Sequence, residues 1–172
     1  MTSVLRWLSL GILLAGCAPA VAQPRYGLSP DAYAVFSKWM TLNCIGDEEA
    51  KWREALRRHA TELAPAFRRA LADGPAAEDL ATLRVASDVR YRSLAAFPAS
   101  QYRVEGASAQ ALARSSRQTF VDDQVQRYVT GYKSNAVAAL GIIGQPQDRA
   151  TLRRLAARPG DPLAVAATEA TK

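Results

Sequence analysis

The chain has 172 residues and a formal net charge of +6 at pH 7, from 22 lysines and arginines against 16 aspartates and glutamates. This length fits one ordinary domain or a short array of helical units and excludes a second large domain. Hydrophobic residues make up 49% of the chain and aromatic residues only 8%, which favours closely packed helices over a broad β-sandwich. The basic charge favours anionic partners, but the arginines are scattered over several predicted helices, so nucleic-acid binding is not predicted.

Residues 1–22 have the three parts of a secretory signal. A basic start with Arg6 is followed by the apolar run Trp7–Ala15 and then by small residues at a cleavage site. A membrane-spanning helix needs about 20 apolar residues, so this run is too short to be an anchor helix. The segment therefore predicts export of the chain.

Two processing sites compete within this signal. Residues 14–17, Leu-Ala-Gly-Cys, resemble the lipobox of bacterial lipoproteins, in which the cysteine is lipidated and becomes the first residue of the mature chain. Residues 20–22, Ala-Val-Ala, resemble the site of ordinary signal peptidase, which would release a soluble periplasmic protein. All four lipobox positions fit, so we expect lipidation at Cys17. Ala18 after the cysteine, in place of aspartate, implies by the same resemblance an outer-membrane lipoprotein that faces the periplasm.

Either route leaves Cys44 as the one cysteine with a free thiol in the mature chain, so an intramolecular disulfide is excluded. Cys44 stands at the end of an apolar helical pattern. This position favours buried packing over intermolecular pairing or reactivity.

Residues 23–28 are predicted to be an extended tether before the first helix. Ser29 can cap this helix, and Pro30 suits its first position, where no backbone N–H is needed. The helix is predicted to run to about Cys44, with Gly46 as its stop. Residues at three- and four-residue spacing form one core-facing side: Tyr33, Phe36, Trp39 and Met40.

The second predicted helix opens at Asp47, and Pro65 is expected to kink or restart it before a turn at residues 73–75. Its apolar stripe consists of Trp52, Ala55, Leu56, His59 and Leu63. A third helix is predicted from Ala76 to about Ala96. Its apolar positions are Leu80, Leu83, Val89 and Leu94.

Residues 98–107 look irregular and are the best candidate for a boundary between two regions. We therefore divide the mature chain into an N-terminal helical region, residues 29–97, this linker, and a C-terminal helical region, residues 108–172. The C-terminal region opens with a helix that Ser108 can cap and that reaches about Thr130, where Gly131 offers a break. The inward side chains of that helix are Leu112, Phe120, Val121, Val125 and Tyr128.

Three shorter helices are predicted after this break. The first covers residues 134–144 and has alanines on its packing side. The second follows a turn at residues 145–148 and presents Leu152, Leu155 and Ala156. The third follows a turn at residues 158–162 and covers Leu163–Thr171.

Residues 136–144 read Ala-x-x-Ala-Leu-Gly-x-Ile-Gly, and Asp161-Pro162 follow after the next helix. Residues 132–172 thereby resemble the short HEAT-like repeat of the phycobilisome-lyase type. The resemblance implies a helical bundle that leads into a short stack of helical hairpins, with a binding surface rather than an active site. After Asp161-Pro162 the sequence departs from the pattern, since Ala164 and Val165 replace the usual Val-Arg. An ordinary alanine-rich helical hairpin is the alternative.

We predict no catalytic residue, cofactor or metal in this chain. His59 is the single histidine, which excludes a multi-histidine metal site. Cys44 and His59 lie on successive predicted helices without an oxyanion-hole motif, so a catalytic pair is disfavoured. Asp122 and Asp123 are adjacent and point to different sides of a helix. The couples Arg68-Arg69 and Arg153-Arg154 are interpreted as solvated.

These patterns together predict an all-α lipoprotein of the cell envelope that is held at the membrane through a lipid anchor. It is expected to be a non-enzymatic helical scaffold that binds a protein partner in the envelope. A periplasmic inhibitor or immunity-type protein is the first alternative. An envelope enzyme acting on glycan or peptide is the second, and only the predicted location supports it.

Overall fold

A computed structural model describes residues 26–41, 48–96 and 116–172. Within these ranges the regular secondary structure is entirely helical, which confirms the all-α fold class. The helices are α1 (Pro30–Thr41), α2 (Glu49–Arg58), α3 (Ala60–Asp73), α4 (Ala77–Ala96), α5 (Arg117–Ile143), α6 (Pro146–Ala156) and α7 (Ala164–Ala170). The signal with Cys17, the Cys44 thiol, the linker at 98–107 and the Ser108 cap lie outside the described residues. None of the described helices is long and apolar enough to cross a membrane.

The start of α1 is fixed as its sequence predicts, and the same serine ties it to α3. Ser29 Oγ accepts the backbone N–H of Ala32 at 3.3 Å and so caps the helix. Ser29 also donates from its backbone N and its hydroxyl to the two carboxylate oxygens of Glu62, at 2.7 and 2.8 Å. The Ser29 backbone N–H, followed by its hydroxyl, holds the pKa of Glu62 below its ordinary value.

The prediction that four residues of α1 face the core is confirmed for three of them. Phe36, Trp39 and Met40 are buried in the core. Tyr33 is 40% exposed, so its prediction as a core residue is wrong. It lies at the margin of the stripe, where part of the ring faces a surface cleft.

Of the kink or restart predicted at Pro65, the restart is wrong. The chain leaves helical geometry at His59, with φ −101° and ψ 20°, between α2 and α3. Pro65 lies inside α3. Its missing N–H would have bonded the carbonyl of Thr61, and because both residues are exposed, water can hydrate that carbonyl instead.

The break predicted at Gly131 is also wrong. The 27 residues of α5 form one helix, about 40 Å long at 1.5 Å per residue. Ser116 caps it by accepting the N–H of Thr119 at 3.2 Å, and Gly144, at φ 71°, ends it as the sequence predicts. A single glycine costs a helix about 1 kcal/mol, which packing on either side of Gly131 offsets.

One hydrophobic core joins the helices on both sides of the predicted linker. Its fully buried members come from α1, α2, α3, the C-terminal half of α5, and α6 and α7. The largest of these are Phe67, Leu56, Leu63, Leu140, Leu152 and Val137. The end of α5 approaches α7 so closely that a Cβ added at Gly141 would lie 2.6 Å from the Cβ of Ala170. Only glycine fits this crossing without displacement.

A second region, which we call the arm, consists of α4 and residues 117–130 of α5. Among the described helices, α4 packs substantially against α5 alone. Val121 and Val125 are buried between the two, as predicted, whereas Val89 is 57% exposed and its inward prediction is wrong. Among the described helices α5 alone packs substantially against α4, so a side chain of α4 that does not face α5 is left exposed. Tyr128 was also predicted inward and is instead 39% exposed.

Candidate functional site

The histidine singled out by the sequence has a backbone role. His59 lies half-buried at the junction of α2 and α3, where its carbonyl accepts the N–H of Leu63 at 2.9 Å. Cys44, the residue considered as its partner in the sequence, lies outside the described residues. Among residues 26–41, 48–96 and 116–172, no group of three or more His, Cys, Asp or Glu side chains is arranged to hold a metal ion.

The adjacent carboxylates of α5 belong to the arm. Asp122 accepts a hydrogen bond from Arg84 of α4 at 3.0 Å and another from the Gln118 amide at 2.8 Å. These two donors, the amide first, lower the pKa of Asp122 from its ordinary value. Asp123 is exposed. The pattern is that of a helix-to-helix contact.

The interpretation of the arginine couples as solvated is wrong for Arg68. Its guanidinium donates two hydrogen bonds to the Asp148 carboxylate, from Nε to Oδ1 at 2.6 Å and from Nη2 to Oδ2 at 3.1 Å. The same Nη2 donates to Oε1 of Gln145. Hydrogen bonding to Asp148 raises the pKa of Arg68. Arg69 and the couple at 153–154 are exposed, as predicted.

The carboxylate that receives Arg68 is set by the start of α6. Pro146 begins this helix, and Asp148 lies in its first turn, where acidic side chains are favoured by the helix dipole. Asp148 is only 4% exposed, although it carries a charge. Burial of a carboxylate is tolerated when it is paired and hydrogen-bonded, so the contact with Arg68 is what allows it.

This ion pair forms one side of a surface cleft of about 640 Å³, which we call the α3–α6 cleft. Its floor is apolar and is made by Leu71, Leu140, Leu155 and Leu163. Its charged lining side chains, which we call the rim, are three basic ones, Arg68, Lys133 and Arg158, and two acidic ones, Asp148 and Asp161.

The basic side chains of this rim differ in how far they are neutralised. Arg68 is paired with Asp148, and Nη1 of Arg158 lies 3.9 Å from Oδ2 of Asp161. Lys133 Nζ donates to the backbone carbonyl of Ala72 at 3.3 Å, which is a neutral acceptor. An apolar floor below a positive rim is suited to an amphipathic, acidic segment.

Sequence reasoning missed this cleft, although it contained one signal for it. Pro146 with an acid two residues later marks a helix start, and this pattern places Asp148 in the first turn. The partner, Arg68, lies 80 residues earlier in the chain. No local pattern connects the two, because they come together only where α3 and α6 both pack on α5.

The chain matches no protein-family model, and no curated protein or solved structure shows significant similarity to it.

Proposed function

We propose that this protein is an exported lipoprotein of the outer membrane, anchored through lipid on Cys17, whose helical body is a non-enzymatic module that binds a protein partner. The lipobox at residues 14–17 and the HEAT-like pattern at residues 132–172 support this proposal. The close stacking of α5, α6 and α7 agrees with a short helical-hairpin stack. The partner binds at the α3–α6 cleft.

The observation that carries this proposal is the fixed arginine beside an apolar floor. Binding energy at protein interfaces concentrates at a few residues, and arginine is enriched among them. Arg68 is already oriented by Asp148 and Gln145, so little side-chain freedom is lost when a partner binds. Leu71, Leu155 and Leu163 are half-buried in the free protein and gain further burial under a partner.

The charges of the rim define the partner's chemistry. Three basic and two acidic side chains leave the cleft with one net positive charge, on a chain of net charge +6. A segment with an acidic side chain next to an apolar one matches both the rim and the floor. The long-range charge also accelerates encounter with an acidic protein.

A crosslinking pull-down from envelope membranes tests this proposal with three baits: the wild-type chain, Lys133→Glu and Arg57→Glu. Lys133 lies on the rim, and its reversal leaves the Arg68–Asp148 pair in place. Arg57 is an exposed residue of α2 away from the cleft, so its variant carries the same change of charge. Mass spectrometry identifies the amino terminus of the bait and whatever it captures.

We expect the bait to begin at lipidated Cys17 and to capture one defined protein, which Arg57→Glu retains and Lys133→Glu loses. Matching thermal unfolding of the three baits shows that the loss is local. Equal capture by all three baits would contradict the α3–α6 cleft as the binding site. A bait that begins at Gln23 would contradict the lipid anchor.

A further inference from the structure

A second cleft, lined by aromatic side chains, lies where the arm meets the core. It has a volume of about 610 Å³ and is enclosed by α1, the start of α4 and the middle of α5. Five rings line it: Tyr26, Tyr33, Phe36, Tyr128 and Tyr132. We call it the tyrosine cleft. It shares no lining residue with the α3–α6 cleft.

Contacts between the rings hold the walls of this cleft in place. The hydroxyls of Tyr26 and Tyr132 lie 3.0 Å apart and link the segment before α1 to α5. The rings of Tyr26 and Phe36 are 4.7 Å apart between centroids, and those of Tyr128 and Tyr132 are 6.2 Å apart. Tyr33 and Tyr128 keep about two fifths of their surface exposed, 40% and 39% respectively, so ring surface remains accessible from solvent.

The charge of the cleft is opposite in sign to that of the whole chain. Glu78 and Asp79, both exposed, contribute two negative charges to its lining. The described lining includes no lysine or arginine, on a chain of net charge +6. Burial, and then the nearby Asp79 carboxylate, raise the pKa of Tyr128, so its hydroxyl stays protonated at neutral pH.

The position of these two acids in the first turn of α4 favours that helix through its dipole. The dipole accounts for acids in the first turn, but it does not account for their place beside aromatic rings. Here Glu78 and Asp79 line the same cleft as Tyr33 and Tyr128. The faces of aromatic rings carry negative electrostatic potential and attract cations, most strongly cations that are weakly hydrated. Rings and carboxylates together therefore select a positive ligand that also has apolar surface.

We propose that the tyrosine cleft binds a small soluble organic cation of the quaternary-ammonium class. The methyl groups of such a cation contact the tyrosine faces, while its charge is balanced by Glu78 and Asp79. This site is independent of the protein partner proposed for the α3–α6 cleft.

An NMR titration of the purified full chain with choline tests this site, and 3,3-dimethyl-1-butanol is the matched neutral ligand. The two ligands have nearly the same shape and differ in the charge of the central atom. We expect choline to shift the ring signals of Tyr33 and Tyr128 and to bind at least about fivefold more tightly than the neutral alcohol, as one cation–π contact of about 1 kcal/mol requires. No saturable shift with choline, or equal affinity for both ligands, would overturn the proposal.

Variants then separate the ring from the charge. Tyr128→Phe keeps the ring and should retain choline binding, whereas Tyr128→Leu should weaken it by about fivefold or more. Asp79→Asn should weaken it as well, while Asp123→Asn, which removes the same charge from an exposed position outside the cleft, should not. Unchanged affinity in both Tyr128→Leu and Asp79→Asn would place choline elsewhere. Thermal unfolding of each variant confirms that it is folded.

Discussion

The core and the arm share one helix, α5, but different interactions stabilise its two halves. In the core half of α5, Ala136, Val137, Ala139 and Leu140 are all buried against helices on several sides. In the arm half, only Val121 and Val125 are buried, against α4. Burial of apolar surface is the main source of stability, so the two halves of one helix are expected to differ in how easily they open.

The arm instead carries ion pairs between its two helices and within α4. Arg84 pairs with Asp122, and Asp88 pairs with both Arg92 and Arg117. Exposed pairs of this kind contribute little to stability, because solvent and salt screen them. Ion pairs therefore help to align the two helices of the arm, while the core supplies the stability that supports both clefts.

The largest effect is expected from truncation in the core. Phe67 is fully buried and packs on Phe36 with ring centroids 5.0 Å apart. Phe67→Ala should lower the free energy of unfolding by about 3–5 kcal/mol, against about 1–2 kcal/mol for Val121→Ala in the arm. Urea unfolding followed by circular dichroism measures both. Equal losses would contradict the difference between the two regions.

The next largest effect concerns the ion pair of the α3–α6 cleft. Arg68→Met leaves the buried Asp148 carboxylate unpaired and should lower the free energy of unfolding by about 2–4 kcal/mol. The double variant Arg68→Met with Asp148→Leu should regain part of this loss, because no buried charge is then left. A double variant less stable than the single one would show that the pair does more than neutralise Asp148.

Two glycines of α5 form a matched pair. At Gly141 a Cβ would lie 2.6 Å from the Ala170 side chain and 2.7 Å from its carbonyl oxygen, so Gly141→Ala must displace α7 and should cost about 1–2 kcal/mol. At Gly131 nothing lies within 4 Å, so Gly131→Ala should stabilise the protein by up to about 1 kcal/mol through helix propensity. Thermal unfolding midpoints should therefore move in opposite directions. A shift in the same direction would contradict the close crossing of α5 and α7.

The smallest effect is a pH dependence in the arm. Hydrogen bonding to Arg117, and then the charges of Arg117 and Arg92, lower the pKa of Asp88 below its ordinary value of 3.8. The folded-state pKa is therefore the lower one. The stabilisation that the ionised Asp88 carboxylate gives to the folded protein is fully present above about pH 4, and it is lost as the pH falls through the pKa of Asp88 in the folded protein. Asp88→Asn should make the protection of α4 amides from hydrogen exchange less dependent on pH below about pH 4, and should leave the protection of core amides unchanged. The same pH dependence in the variant as in the wild type would count against the Asp88–Arg117 pair.

Local features of the fold follow from the sequence, and non-local ones do not. Ser29 with Pro30 and the glycine at 144 mark helix ends by chemistry that acts within a few residues. Pro65 and Gly131 have breaking tendencies of the same local kind, but packing on both sides of each overrides them. Periodicity likewise predicts that Tyr128 faces inward, because it indicates one side of the helix but contains no information on where a neighbouring helix ends.

The candidate clefts were even less accessible to sequence reasoning. Arg68 and Asp148 meet only because α3 and α6 both pack on α5, and a lone arginine couple is typically solvated. The tyrosine cleft combines rings from three separate segments of the chain. Tyr33 and Tyr128 each have an ordinary helical setting when they are considered alone.

Native-state hydrogen exchange along α5 tests most directly the claim that a stable core supports both clefts while the arm depends on it. One helix supplies the amides of both regions, so sequence-independent helix effects are shared. We predict that amides of residues 132–143 exchange only on global unfolding, whereas those of residues 121–130 exchange through a local opening of lower free energy. Uniform protection along the whole of α5 would contradict this account.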